Sequence, residues 1–269
     1  MKSIPWRRLA AAFGLALGGA ATQAQNLTVV TESTPLSYLQ EGRVVGRATE
    51  VVETTLKRAA ITDYRIDLYP WARAQDIALR EPYVLIYPIA RTPEREERFR
   101  WVGEIKRIQY YLFALTDGPE QRIAQLDDAR GRTIGVVRDD VRHQYLQRRG
   151  FTRLAVSSQP MENLRKLLYR QVDLIVLTES EARTLCAEAR GECPGLVRGL
   201  PLDELRYGLY MAYSLATPEA MATRTAAAFE SMRADGSLAR IMAAPASPGA
   251  TSATPLGAVP VPAARRPGG

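Results

Sequence analysis

YPWARAQDIALREPYVLIYPIARTPEREERFRWV, residues Tyr69–Val102, sets a helical stretch, a short apolar strand and an arginine-bearing loop in immediate succession. Tyr83–Tyr87 is β-branched and aromatic, so it reads as a buried strand that Pro88 stops. In Ala90-Arg91-Thr92-Pro93-Glu94-Arg95, Thr92 has the chemistry of an N-cap and Pro93 suits the first helical position. Arg95 then falls in the first turn, beside the end of the strand. Its guanidinium is permanently charged and presents a planar fork that matches a carboxylate, which suits it to gripping a small acid. Arg91 reads as a rim charge.

Strands and helices alternate on both sides of this stretch. Upstream, 27–31 and 64–68 read as strands and 49–59 as an amphipathic helix; 71–79 is helical and 110–115 is a long apolar strand. The pattern breaks near Thr116 and then repeats, with a strand at 133–137, helices at 141–149 and 161–169, and a buried strand at 174–177. A strand-like run at 207–213 and a long helix at 218–234, capped by Thr217, follow. Such alternation predicts an α/β sheet with helices on its faces.

Lys2, Arg7 and Arg8 precede the apolar run 9–21 and the small residues of Thr22-Gln23-Ala24, the pattern of a cleavable signal peptide over residues 1–24. The run is too short to span a bilayer. The expected location is therefore periplasmic. There, Cys186 and Cys193 are expected to form a disulfide. The single histidine, His143, has no ligand-spaced partners, so no metal site or other cofactor is expected. The formal charge of +7 falls to +4 without Lys2, Arg7 and Arg8, and to +2 without Arg265 and Arg266, which argues against a nucleic-acid partner. Arg138, Arg142, His143, Arg148 and Arg149 are interrupted by Asp139 and Asp140 and read as a solvated helix face. Residues 244–269 are rich in Ala, Pro, Gly, Ser and Thr and are expected to form a disordered tail.

Several segments carry a family resemblance when taken in order. Leu27-Thr28-Val29-Val30-Thr31-Glu32 with Pro35 and Tyr38, Tyr69-Pro70-Trp71-Ala72-Arg73-Ala74, the Thr-Pro-Glu-Arg turn, Gly131-Arg132-Thr133-Ile134-Gly135-Val136-Val137, and Ala234-Asp235-Gly236-Ser237-Leu238-Ala239-Arg240-Ile241 resemble the extracytoplasmic solute-binding proteins of family 3, the polar amino-acid receptors of ABC importers. The resemblance implies a two-lobed, hinged clamshell of the type II periplasmic-binding fold with a central cleft. Lobe 1 would comprise 26–114 and 208–243, and lobe 2 would comprise 115–207. It further implies a monomeric, non-enzymatic receptor that closes on a small polar solute bearing a carboxylate and presents it to an ABC permease in the inner membrane.

The resemblance also distributes roles. Arg95 would hold the ligand carboxylate, a backbone carbonyl at Ile89 or Ala90 would face a ligand amine, Tyr38 would be an aromatic wall, and Trp71 would stack on ligand or support the cleft. The loop Arg138-Asp139-Asp140-Val141 would contribute amides, but it lacks the family's Gly and Ser or Thr. Aspartates at a helix start most often cap it. Thr178 stands where the family places an aspartate for the ligand ammonium, leaving Glu179 as the nearest carboxylate. Two other readings remain open. One is an enzyme on the same scaffold, like the periplasmic cyclohexadienyl dehydratases, with Asp140 or Glu179 as general acid; the other is a soluble sensory subunit.

Overall fold

The computed structural model of the protein describes residues 26–116, 123–189, 193 and 195–244; the expected signal peptide lies outside them, as does the expected tail apart from Ala244. The first half comprises β1 (Leu27–Thr31), the hairpin β2 (Tyr38–Gln40) and β3 (Arg43–Val45), α1 (Arg47–Arg58), β4 (Tyr64–Leu68), α2 (Trp71–Arg80) and β5 (Val84–Ala90). A 3-10 turn, Pro93–Arg98, leads into the 17-residue β6 (Phe99–Leu115). Next come β7 (Ile134–Val137), α3 (Val141–Arg148), β8 (Leu154–Ser157), α4 (Pro160–Leu168), β9 (Leu174–Leu177) and α5 (Glu179–Glu188). The 19-residue β10 (Leu196–Ser214), α6 (Glu219–Ala234) and α7 (Ser237–Ala243) complete the described chain.

Among the described residues the principal sheet has the order β4-β1-β5-β10-β6-β9-β7-β8. β1 pairs in parallel with β4 and β5, and β7 pairs in parallel with β8 and β9. Between these groups β6 and β10 run antiparallel along most of their length. One part of β10, around Leu209–Tyr213, pairs with β5, whereas Tyr111–Phe113 of β6 pairs with β9. These two strands therefore belong to both halves of the sheet. The break expected near Thr116 falls after β6 has already joined the second half.

Helix burial follows the 3.6-residue period. Val51, Val52, Thr55 and Leu56 of α1 point inward, and Lys57 and Arg58 occupy its last turn, where cations complement the helix dipole. α6 buries Ala222, Thr225, Ala228, Phe229 and Met232 against the same cluster. Phe229 lies so close to β6 that a Cβ on Gly103 would stand 2.1 Å from its ring, so only glycine fits there. The second cluster gathers Leu112, Ile134, Val136, Leu146, Leu174 and Leu205.

Three local expectations are corrected. Pro88 lies inside β5 and does not end it. β1 pairs only with Val84–Ile86, and on the other side Tyr87 and Pro88 stand opposite the single residue Met211, so the missing N–H falls in a bulge. Pro218, and not Thr217, precedes α6; the Thr217 hydroxyl is 2.8 Å from that of Ser214. Finally, Arg142 and His143 are buried at 4% and 7% exposure, so those two do not belong to a solvated face, whereas Arg138 and Arg148 are exposed. The Cys186–Cys193 disulfide is present and ties the end of α5 to the segment entering β10.

Candidate functional site

A cleft opens beyond the ends of β1 and β5 and is closed on the other side by the start of α3 and α5. The loop after β1 is held as a tight turn: Ser37 Oγ donates to the Glu32 carbonyl at 2.9 Å, and Thr34 and Ser37 exchange backbone hydrogen bonds. Gly46, at φ 121°, permits the close approach behind it, since a Cβ there would lie 2.4 Å from the Leu36 carbonyl oxygen. Glu32, Thr34 and Leu36 thereby face the cleft.

Arg95 enters from the 3-10 turn. Its backbone N–H donates to the Thr92 carbonyl at 3.0 Å, and Pro93 occupies the first position, as the sequence predicts. The side chain is 3% exposed. Nη1 donates to the Ala90 carbonyl at 3.2 Å, and the guanidinium carbon lies 5.0 Å from the centre of the Trp71 ring. Nε and Nη2 have no hydrogen-bond partner within the protein. Burial lowers the Arg95 pKa, with Asp140 and other nearby groups acting in the opposite direction. The result is a fixed cation with two donors unused.

The opposite wall is built around Arg142, on the first turn of α3. Its Nε donates to Asp140 Oδ2 at 2.5 Å, and Nη1 donates to the Val176 carbonyl at 3.1 Å and to Glu181 Oε1 at 3.3 Å. Its guanidinium also stacks 5.1 Å from the centre of the Tyr110 ring. Burial opposes its charge, but Asp140 and Glu181 outweigh that and hold its pKa above the ordinary arginine value. Asp140 caps α3 by accepting from the His143 N–H at 2.8 Å. Glu181 closes a capping box with Thr178, whose N–H it accepts at 2.7 Å. The triad is thus internally satisfied.

Glu32 differs. It lines the cleft, and enclosure by the cleft walls pushes its carboxyl up to about 8; Arg142 and Arg95 pull it down while Asp140 and Glu181 push it further up. It is the cleft carboxylate that neither caps a helix nor pairs with an arginine. Trp71 Nε1 donates to the Asp139 carbonyl at 3.0 Å, joining α2 to the loop before α3.

Of the residues expected from sequence, Arg95, Ala90, Trp71 and Asp140 line this cleft together. Four do not. Arg138 is exposed at the end of β7, and Tyr38 sits on the β2–β3 hairpin. Ile89 is buried in a core cluster, its backbone paired across to Tyr210. Glu179 pairs with Arg198 outside the cleft. Glu32, Lys106, Tyr110, Arg142 and Glu181 also line the cleft, beyond the site residues expected from sequence. Thr178-Glu179-Ser180-Glu181 carried a readable signal, the Thr-x-x-Glu capping box. Among the described residues no cluster of His, Cys, Asp and Glu could hold a metal ion.

No protein-family model matches the chain, and no curated protein matches it in sequence. Its likeness is to solved structures. A histidine kinase sensor domain with similarity to periplasmic binding proteins aligns with a TM-score of 0.73 at 20% identity, covering 81% of this chain and 95% of the other. The amino-acid ABC transporter substrate-binding protein AbpA from Streptococcus pneumoniae, bound to L-arginine, aligns at 0.68 and 13% identity, covering 81% and 92%. The ancestral amino-acid-binding protein AncCDT-1, a precursor of cyclohexadienyl dehydratase, aligns at 0.65 and 13%, covering 80% and 92%. The chain has the two-lobed α/β fold of the amino-acid ABC transporter substrate-binding proteins and of periplasmic-binding-like sensor domains, the fold of solute-binding family 3.

Proposed function

We propose that this protein is an exported solute receptor that closes its two lobes on a small, carboxylate-bearing solute for an ABC importer. The observation that carries this reading is Arg95: a 3% exposed guanidinium, aimed into the cleft, with Nε and Nη2 unpartnered. Two adjacent N–H donors on a planar cation are complementary to one carboxylate. We put the lobe crossings in β6 and β10 between the pairing of β10 with β5 at Leu209–Tyr213 and the pairing of β6 with β9 at Tyr111–Phe113, a reading those pairings support. Binding would favour the closed state because Arg95 lies on one side of those crossings and Arg142 on the other. The signal-peptide pattern over residues 1–24 supports a periplasmic site of action, and a monomer that docks on a membrane permease follows from the same reading.

The test is calorimetry on protein unfolded and refolded to remove carried-over solute, against amino acids, dicarboxylates and aromatic acids. Saturable binding that Arg95→Met abolishes supports the reading. Binding of carboxylates that Arg95→Met leaves unchanged refutes it.

Glu32 favours a second reading. A carboxyl held protonated near neutral pH in a cleft is suited to general-acid chemistry, and AncCDT-1 stands at the origin of a dehydratase on this scaffold. In that case Glu32 is the acid; Asp140 is committed to Arg142 and to the α3 cap, and Glu179 lies outside the cleft. Consumption of prephenate or arogenate, lost in Glu32→Gln, separates the enzyme from the receptor.

A further inference from the structure

The charged groups that the cleft leaves free are donors. Among the described residues three carboxyl groups line it, and two of them have both oxygens taken. Asp140 accepts from the His143 N–H at 2.8 Å and from Arg142 Nε at 2.5 Å; Glu181 accepts from Arg142 Nη1 at 3.3 Å and from the Thr178 N–H at 2.7 Å. The third, Glu32, is held protonated near neutral pH and so offers an O–H. The Ala90 carbonyl already accepts from Arg95, and the Thr178 hydroxyl from the Glu181 N–H. An ammonium group entering this space would lose its water without meeting a free carboxylate.

Two cations, by contrast, have no anion. Arg95 has Nε and Nη2 unused. Lys106 lines the same cleft and makes no ion pair among the described residues; burial lowers its pKa, and Arg47 at the start of α1 and Arg183 of α5 lower it further. The sheet sets its place. Ala90 of β5, Leu209 of β10 and Lys106 of β6 are register partners across adjacent strands, and all of them line the cleft. Two strand spacings put the Lys106 backbone about 10 Å from that of Ala90, to whose carbonyl Arg95 is bonded, and its flexible four-carbon stem can reach back over Leu209.

We infer that the cleft takes a short diacid without an amine, with one carboxylate on Arg95 and the second acidic group on Lys106 across the width of β10. This specificity rests on the reading of Arg95 as a carboxylate grip. A monoacid leaves the charge of Lys106 unmet, and an α-amino group brings a cation for which no carboxylate is free.

Calorimetry at neutral pH with succinate, glutarate and adipate tests the idea, each beside its monoacid (butanoate, pentanoate, hexanoate) and its 2-amino derivative (aspartate, glutamate, 2-aminoadipate). In the series that binds best, the diacid should bind about tenfold more tightly than both relatives. Lys106→Met, a change at an exposed residue, should weaken the diacid about tenfold more than the monoacid. A monoacid or 2-amino derivative that matches its diacid, or a diacid indifferent to Lys106→Met, overturns the inference while the carboxylate grip stands. Arg95→Met tests that grip separately, since it should abolish binding of diacid and monoacid alike. If none of these acids binds while another carboxylate binds and is lost in Arg95→Met, the diacid inference alone falls; if no carboxylate binds, both fall.

Discussion

Arg95→Met separates a binding group from a structural one, because the two roles predict opposite changes in the unliganded protein. A buried donor atom without a partner costs about 1–3 kcal/mol, so Nε and Nη2 together cost about 2–6 kcal/mol. Against this stand the bond from Nη1 to Ala90, worth about 1.5–3 kcal/mol, and the stacking on Trp71, worth about 0.5–2 kcal/mol. These terms nearly cancel. Methionine retains most of the stem and adapts its shape, so the variant should be within about 1 kcal/mol of the parent, a shift of a few degrees in thermal midpoint. Binding should fall by about 2–5 kcal/mol, roughly thirtyfold to several-thousandfold in Kd. Thermal unfolding without solute and calorimetry with it supply the two readings. A variant destabilised by more than about 3 kcal/mol that still binds with parental affinity would refute the reasoning and make Arg95 a structural residue.

Arg142→Met should behave differently, since it leaves the buried Asp140 and the partly buried Glu181 as carboxylates without their cation; a loss of about 3–5 kcal/mol in urea unfolding is expected, and adding Glu181→Gln should restore part of it. Glu32, with its folded value raised from 4.5 to about 8, binds its proton more strongly in the folded state. Its contribution to stability is therefore favourable at low pH and declines as pH rises from 4.5 toward 8, by up to about 1.4 kcal/mol per unit. Glu32→Gln should flatten that part of the stability-against-pH curve, and an unchanged slope would contradict the assignment. Trp71→Phe removes the hydrogen bond to the Asp139 carbonyl, worth about 0.5–1.5 kcal/mol, and should weaken solute affinity about threefold to tenfold while shifting scattering profiles toward the open form. Replacing Cys186 and Cys193 with alanine should cost about 2 kcal/mol by releasing a short loop, without changing affinity.

Most of the fold was legible because its strands are short apolar runs and its helices carry one buried face. β9 and β4 coincide with the expected ranges, and α1 and α4 differ only at their ends. The long strands were legible only in part. In β10, Gly199, Pro201, Asp203 and Glu204 break any alternation, yet register shifts around Arg198–Pro201 and Leu202–Arg206 absorb them and the strand continues. Pro88 misled for the same reason, since a bulge needs no N–H from it. In the site, Arg95 was legible through local turn chemistry. Arg142 was not, because its burial is produced by Val176, Glu181 and Tyr110, which lie far from it in sequence and meet it only in the folded sheet.

The shared pair β6 and β10 also constrains how the molecule is made. Phe99 pairs with Ser214 and Leu115 with Leu196, so neither side of the sheet gains its central neighbours until the chain has been supplied through Ser214. Pairing across so long an intervening segment is slow compared with local structure. A chain cut or stalled before Leu196 would leave β5 and β6 with open edges, the surfaces on which strands from other copies add. Late closure of the sheet therefore leaves incomplete chains open to aggregation.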